Sequence, residues 1–277
     1  MNVLFLGTAA AEGWPALFCD CGNCERARAA GGKDLRTRAS VLIDDSILVD
    51  LGPDAFGQML THGFRLSRLG GIVFTHAHED HLTAGHFMFA RPPFAHWATD
   101  QPMPIFGNEP SIAAIAKAIG TEDPAEQRDR FHVDLKRVAP FEPFGLAGCT
   151  ITPLLAEHAA EQQCLFYMFE KAGRCFVLAN DTGWFPEPTW AALRGHTIHA
   201  IALDCTNGQI DGRKYHLGVD GVIDAVKRLR EGGQLAKDAI ALATHFSHNG
   251  GLLHDQLEAR LKPHGVLPAY DGMRIEF

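Results

Sequence analysis

No stretch of this 277-residue chain approaches the roughly 18 consecutive apolar residues of a membrane span, which argues against a helical membrane protein. Its start, MNVLFLGTAAAEG, has no basic residue ahead of the apolar run. It therefore reads as a first strand rather than a signal peptide, and a cytoplasmic location is expected. There is no lysine- or arginine-rich block, and 25 basic against 33 acidic residues give a formal charge of −8. That balance argues against a general nucleic-acid binder, whose affinity rests on cationic phosphate contacts. It does not exclude a small phosphorylated substrate held through metal ions. Internal repeats, low-complexity tracts and long linkers are also missing, so one domain over residues 1–277 is expected. A last absence is local: Cys19, Cys21 and Cys24 stand together in FCDCGNCERAR with no fourth cysteine near them. A closed tetrahedral zinc site needs four ligands.

The other four cysteines, Cys149, Cys164, Cys175 and Cys205, lie singly in apolar runs and read as small buried hydrophobes. In a reducing compartment the clustered three suggest metal before disulfide. Strands are expected at Asn2–Leu6, Ala39–Ile43, Ile47–Asp50, Gly71–Thr75, Pro104–Gly107, Val133–Val138, Cys149–Leu154, Leu165–Glu170, Arg174–Ala179, His199–Leu203 and Ala239–Thr244. The second and third are joined as a hairpin at Asp44-Asp45. Helices are expected at Asp54–Thr61, Pro110–Ile119, Pro188–Arg194, Val219–Arg230 and Leu252–Leu261. In the fourth, Val219, Val222, Ile223, Val226 and Leu229 form one apolar face, with Gly232 and Gly233 as its stop. The Pro-rich piece RPPFAHWATDQPMP, 91–104, reads as a loop over a site. Strands and helices in this order imply an α/β protein of two packed sheets covered by helices.

The chain has 15 histidines, and their grouping is more informative than their number. After the buried strand GIVFT comes HAHEDHLTAGH, which places His76, His78, Asp80 and His81 within six residues. A strand ending here projects them from its carboxyl end, where α/β proteins place their sites. The spacing H-x-H-x-D-H suits two metals: two imidazoles two apart converge on one ion, and Asp80 with His81 face another. Imidazole and carboxylate suit zinc, iron or manganese without selecting among them. Further ligands must come from later in the chain, and His158, Asp181 and His245 each follow an expected strand. His86 reads as a locally packed helix residue; His62, His96, His132, His196, His199, His254 and His264 read as surface or core residues.

At THAHEDH, followed in order by His158, Asp181 and His245, the chain resembles the metallo-β-lactamase superfamily over nearly its whole length. The resemblance implies a four-layer αβ/βα sandwich with two divalent metals at one edge, zinc or manganese, with iron as a further candidate. His76, His78 and His158 would hold one ion, Asp80, His81 and His245 the other, and Asp181 would bridge them. A hydroxide between the two ions would attack the substrate.

The opening FLGTAAAEGWPALFCDCGNCERAR resembles the PhnP-like branch, phosphodiesterases that act on a phosphoribosyl cyclic phosphate. By that resemblance Cys19, Cys21 and Cys24 share a structural zinc with His248, the second histidine of THFSH, in a loop at about 13–30. His216, in KYHLGVDG, would meet the substrate phosphate and protonate the leaving oxygen, and Asp80 would be catalytic as well as a ligand. Asp271 and Gly272 would form a turn before a last strand. A small phosphodiester is the expected substrate, with at most a second copy of the chain as partner. Substrate selectivity is expected in the 91–104 loop, in 120–130 and in 159–163. The alternatives are a carboxylic ester, thioester or lactone on the same centre, tRNA 3′-end processing, or a cofactor-biosynthesis accessory role. Pyrroloquinoline quinone accessory proteins also open with C-x-C-x-x-C, but their first metal motif is degraded; here it is intact.

Overall fold

The structure, a computed structural model, describes residues 1–277. In chain order, β1 (Asn2–Gly7), β2 (Ser40–Ile43), β3 (Ile47–Val49), β4 (Gly71–Val73), β5 (Met103–Gly107) and β6 (Val133–Arg137) build a first sheet. A second holds β7 (Phe144–Leu146), β8 (Cys149–Leu155), β9 (Leu165–Lys171), β10 (Arg174–Ala179), β11 (Ile198–Asp204), β12 (Leu235–Thr244) and β13 (Val266–Pro268). β14 (Arg274–Glu276) returns to pair antiparallel with β1. The spatial orders are β14-β1-β2-β3-β4-β5-β6 and β13-β12-β11-β10-β9-β8-β7. Seven helices accompany them: α1 (Gly22–Ala30), α2 (Ala55–His62), α3 (Glu109–Ile119), α4 (Pro124–Phe131), α5 (Glu187–Leu193), α6 (Val219–Glu231) and α7 (His254–Leu261).

The period-two pattern of the strands produces the layers. Val3 and Phe5 of β1 meet Tyr167, Phe169 and Phe176 of the second sheet in a central apolar layer. Leu4 and Leu6 point the other way, with Ile115 and Ile119 of α3 and Phe131 of α4. On the far side, Phe166, Met168, Val177 and Leu203 pack against Trp190 of α5, Val222 and Val226 of α6, and Leu257 of α7. Each such large side chain contributes about 1.5–3 kcal/mol by leaving water. The result is the expected αβ/βα sandwich, with two mixed sheets inside and helices outside.

Three expectations need correction. Residues 13–30 are not only a loop, because α1 starts at Gly22 with Cys21 at its N-cap. Residues 120–130 contain α4, begun by Asp123, whose side chain accepts from the Ala125 N–H, and by Pro124 in the first turn. That cap was legible, but AEQRDRF is too polar to show an apolar stripe. The 91–104 segment does not cover the metal-type residues. Phe94 and Trp97 instead line a separate apolar cavity of about 500 Å³ with Phe56, Met59 and Phe87.

The strands that matter for chemistry run parallel: β3, β4 and β5 in one sheet, and β10, β11 and β12 in the other. Their carboxyl ends emerge along one edge of the sandwich. No helix of the chain is long and apolar enough to cross a membrane.

Candidate metal centre

At that edge the residues singled out in the sequence come together in two groups. His76, His78, His158 and Asp181 form one, and Asp80, His81, Asp181 and His245 the other; within each, the ligand-type atoms all lie within 4.8 Å of one another. Asp181 belongs to both. Its Oδ2 stands 3.1 Å from His76 Nε2 and 3.1 Å from His81 Nε2. His81 Nε2 is also 3.1 Å from Asp80 Oδ2, and His158 Nε2 is 3.3 Å from His78 Nδ1. Zn–N bonds of about 2.0–2.1 Å imply tetrahedron edges near 3.3 Å, so this spacing fits donors around a cation. Despite these close contacts, the buried atoms His81 Nε2, His245 Nε2 and Asp181 Oδ1 make no hydrogen bond of normal geometry. Orphaned buried polar atoms are costly, and a pair of divalent cations satisfies all three, so the residues present fit the metals that the sequence implies.

The backbone is bent to make this possible. Asp50, Asp181 and His245 adopt left-handed conformations, with φ of 54° at Asp181 and 60° at His245. A non-glycine residue there costs about 1–3 kcal/mol and persists where its surroundings fix it. Gly52 is required by close approach: a Cβ on it would meet the Asp80 carbonyl oxygen at 2.1 Å.

Two buried carboxylates behind the cluster have no signal in sequence spacing. Asp50, at the end of β3, accepts from the Thr75 N–H and hydroxyl and lies 2.7 Å from His81 Nδ1. A carboxylate only accepts, so it fixes the proton on His81 Nδ1 and leaves Nε2 as the donor atom. Burial opposes a charge on His81, but Asp80 and Asp50 outweigh it and hold its pKa well above the ordinary histidine value. Asp204, at the end of β11, is 3.2 Å from His245 Nδ1 and 3.2 Å from His216 Nδ1, and accepts from the Leu217 N–H. Burial would raise the Asp204 pKa, but His216 and His245 bring it below the usual carboxylate value.

His216 therefore sits against Asp204 and 3.3 Å from Asp181 Oδ1. Burial works against its charge, yet Asp204 first, then Asp181 and Asp80, raise its pKa to about 9. Cations would neutralise Asp80 and Asp181, which leaves Asp204 as the lasting partner.

The thiol cluster lies behind His245. Cys19, Cys21, Cys24 and His248 form a third group, with His248 Nδ1 3.7 Å from Cys19 Sγ and 3.4 Å from Cys21 Sγ. A Cys₃His set with no open position suits a structural zinc. Cys21 caps α1, and the Cys24 N–H first, then His248, bring its pKa down to about 6; burial pushes Cys24 up to about 11. The first can offer a thiolate near neutral pH, whereas the second deprotonates on binding metal.

Between the groups opens a cavity of about 290 Å³, lined by Ala10, Ala11, Glu12, Thr206, Asn207, Ile210, Ser247, Asn249 and Gly250 together with His78, Asp80, His158, Asp181, His245 and His216. These segments, rather than 91–104 or 120–130, line the cavity beside the metal-type residues. Segment 159–163 instead braces the centre: Gln162 Oε1 accepts from the Ala77 N–H, and Asn108 Nδ2 donates to the Gln162 carbonyl.

Comparison with known proteins gives the chain a family. A family model described as "Beta-lactamase superfamily domain" matches residues 45–246. A coenzyme PQQ synthesis protein B from Cupriavidus necator is 24% identical over 99% of both chains. Its counterpart from Gluconacetobacter diazotrophicus is 27% identical over 165 residues, 55% of this chain and 52% of that protein's length. Among solved structures, a diphosphatase from the PhnP family superposes with a TM-score of 0.76 at 24% identity, covering 100% of this chain and 97% of the other. The Zn(2+)-bound PqqB from Methylobacterium extorquens superposes with a TM-score of 0.77 at 18% identity over 100% of both. With the family model spanning most of the chain and the same two-sheet sandwich in these solved structures, the chain belongs to the metallo-β-lactamase superfamily.

Proposed function

We propose that this chain is a metal-dependent phosphodiesterase acting on a small, cyclic or otherwise compact phosphodiester. The observation that carries the reading is the shared Asp181, which joins two donor groups beside His216 in one polar cavity. His76, His78 and His158 would hold one cation and Asp80, His81 and His245 the other, with Asp181 between them. Two such ions, zinc or manganese, supply an activated water and neutralise the charge that builds on the phosphoryl oxygens. His216, kept protonated by Asp204, donates to the departing alkoxide. Cys19, Cys21, Cys24 and His248 hold a third, structural zinc. The PhnP-family diphosphatase supports the choice of a phosphorus ester.

Metal-loaded protein assayed on bis(p-nitrophenyl) phosphate, a thioester and a lactone tests this. Turnover of the diester in preference to the other two is expected, and preference for a carboxylic substrate would overturn it. A second reading, an accessory protein of cofactor biosynthesis, is supported by the coenzyme PQQ synthesis protein B relatives and the fit to PqqB. Fully metal-loaded protein without turnover on any ester would favour it.

A further inference from the structure

The cavity above the paired cluster contains no lysine or arginine among its lining residues. The cations nearest in sequence to its walls are already engaged. Arg38 donates to the Asp54 carboxylate at 2.9 Å and to the Ala11 carbonyl at 3.0 Å. Arg213 pairs with Asp224 at 2.6 Å, and Lys214 lies over the Tyr215 ring. What the wall does contain is a carboxylate, Glu12, away from the two donor groups. The Ser247 hydroxyl donates to Glu12 Oε1, and His248 Nε2 stands 3.6 Å from the same oxygen. Glu12 Oε2 accepts nothing from the protein. One oxygen is thus tethered to the residues that follow His245, and the other makes no hydrogen bond within the protein, on a residue that lines the cavity.

We infer that Glu12 is a specificity-determining residue: Oε2 accepts a hydrogen bond from a hydroxyl on the part of the substrate remote from the scissile phosphate, and the charge turns away substrates with a second phosphate there. The inference deepens the phosphodiesterase reading and rests on it. With no lysine or arginine in the lining beside it, the carboxylate at this wall repels a second phosphate placed against it, whereas a substrate hydroxyl can donate to Oε2 in place of water. The neutral side chains alongside, Asn207 and Asn249, are amide partners suited to a polyol rather than to a phosphate. The substrate class is therefore a phosphodiester carrying a single phosphorus centre and free hydroxyls, of nucleoside or sugar type.

The test is calorimetric binding of uridine 3′-monophosphate and uridine 3′,5′-bisphosphate to the metal-loaded protein, a pair differing only in the second phosphate. The monophosphate is expected to bind at least ten-fold more tightly. Glu12→Gln, with thiol-site zinc content unchanged, should bring the ratio close to one. Tighter binding of the bisphosphate by the natural protein, an unchanged ratio in the variant, or no binding of either nucleotide would overturn the inference. Should Glu12→Gln not fold, Ser247→Ala releases the tethered oxygen and should reduce the ratio at least three-fold; an unchanged ratio there overturns it equally. Turnover of bis(p-nitrophenyl) phosphate by the natural protein is scored separately. Loss of that activity with nucleotide discrimination intact would sink the phosphodiesterase reading alone.

Discussion

Replacing Asp50 by Asn would leave a side chain of nearly the same shape between Thr75 and His81, yet change which His81 nitrogen carries the proton. The carboxylate at 2.7 Å can only accept, whereas an amide can donate to Nδ1 and drive the proton to Nε2, the orphaned atom that faces Asp80 and Asp181. Asp50→Asn is therefore expected to weaken metal binding at the paired cluster by roughly 10–100-fold with the fold retained. Competition with a chromophoric chelator measures this, and an unchanged affinity would remove Asp50 from the site. Direct removal of a donor should act on turnover: Asp80→Ala and His81→Ala should each lower it by at least about three orders of magnitude. Their circular dichroism and thiol-site zinc should stay as in the natural protein. The difference in legibility between these residues is physical. His76 to His81 announce themselves because several ligand types recur at a turn after a buried strand. Asp50 in ILVDLG, Asp204 in IALDCTNG and Glu12 in AAAEG are single carboxylates, and only the fold brings them to an imidazole or a cavity.

Elements that bury an apolar stripe or an alternating run were legible, and those that do not were missed. α6 buries Val219, Val222, Val226 and Leu229 at the spacing read from the sequence, with Ala225 added. α1 and α4 are mostly polar, and the three-residue strands β7 and β13 lack the continuous apolar run that marks the equally short β3 and β4. α4 depends on its cap: Asp123→Ala should cost about 1 kcal/mol and lower Tm by a few degrees, measured calorimetrically. α7 carries a pH-sensitive contact at its start. His254 Nδ1 is 3.1 Å from Arg36 Nη2, in a buried network that also joins Arg36 to the Thr8 hydroxyl and the Ala269 carbonyl. Burial first, then the charges of Arg36 and Lys33, bring the His254 pKa down to about 4, with Asp34 opposing them. The unfolded chain takes up a proton near the ordinary value of about 6.5, which the folded chain resists. This contribution to stability is thus complete above about pH 6.5 and is lost progressively as pH falls towards 4. Tm measured from pH 7.5 to 4.5 should fall more steeply for the natural protein than for His254→Asn, which keeps an acceptor but does not titrate. Parallel curves would refute the assignment.

For the whole molecule, the layer order followed from strands that alternate or are apolar throughout, because each must bury one or both faces. The distribution of the site along the edge was not legible without the superfamily resemblance, since strand order and direction depend on pairings between residues far apart in sequence. The thiol cluster is one of the longer of these connections. It joins Cys19 and Cys21 to His248 across 229 and 227 residues, and His248 lies three positions after His245. The N-terminal loop also meets this segment through the Ala10 N–H, which donates to the Phe246 carbonyl, and the Asn23 amide, which donates to the His248 carbonyl. Zinc in that cluster closes a loop of more than 200 residues, a constraint that for a covalent link is worth roughly 5 kcal/mol through the unfolded chain. Cys24→Ser should therefore lower Tm by on the order of 10 °C, and elemental analysis should show one zinc fewer per chain. Because His245 is fixed from behind by the same segment, metal affinity at the paired cluster should fall along with stability, although no donor of that cluster has changed. The two effects separate this reading from a purely local one. A variant that loses the thiol-site zinc but keeps both its Tm and its paired-cluster affinity would show that the thiol cluster braces nothing.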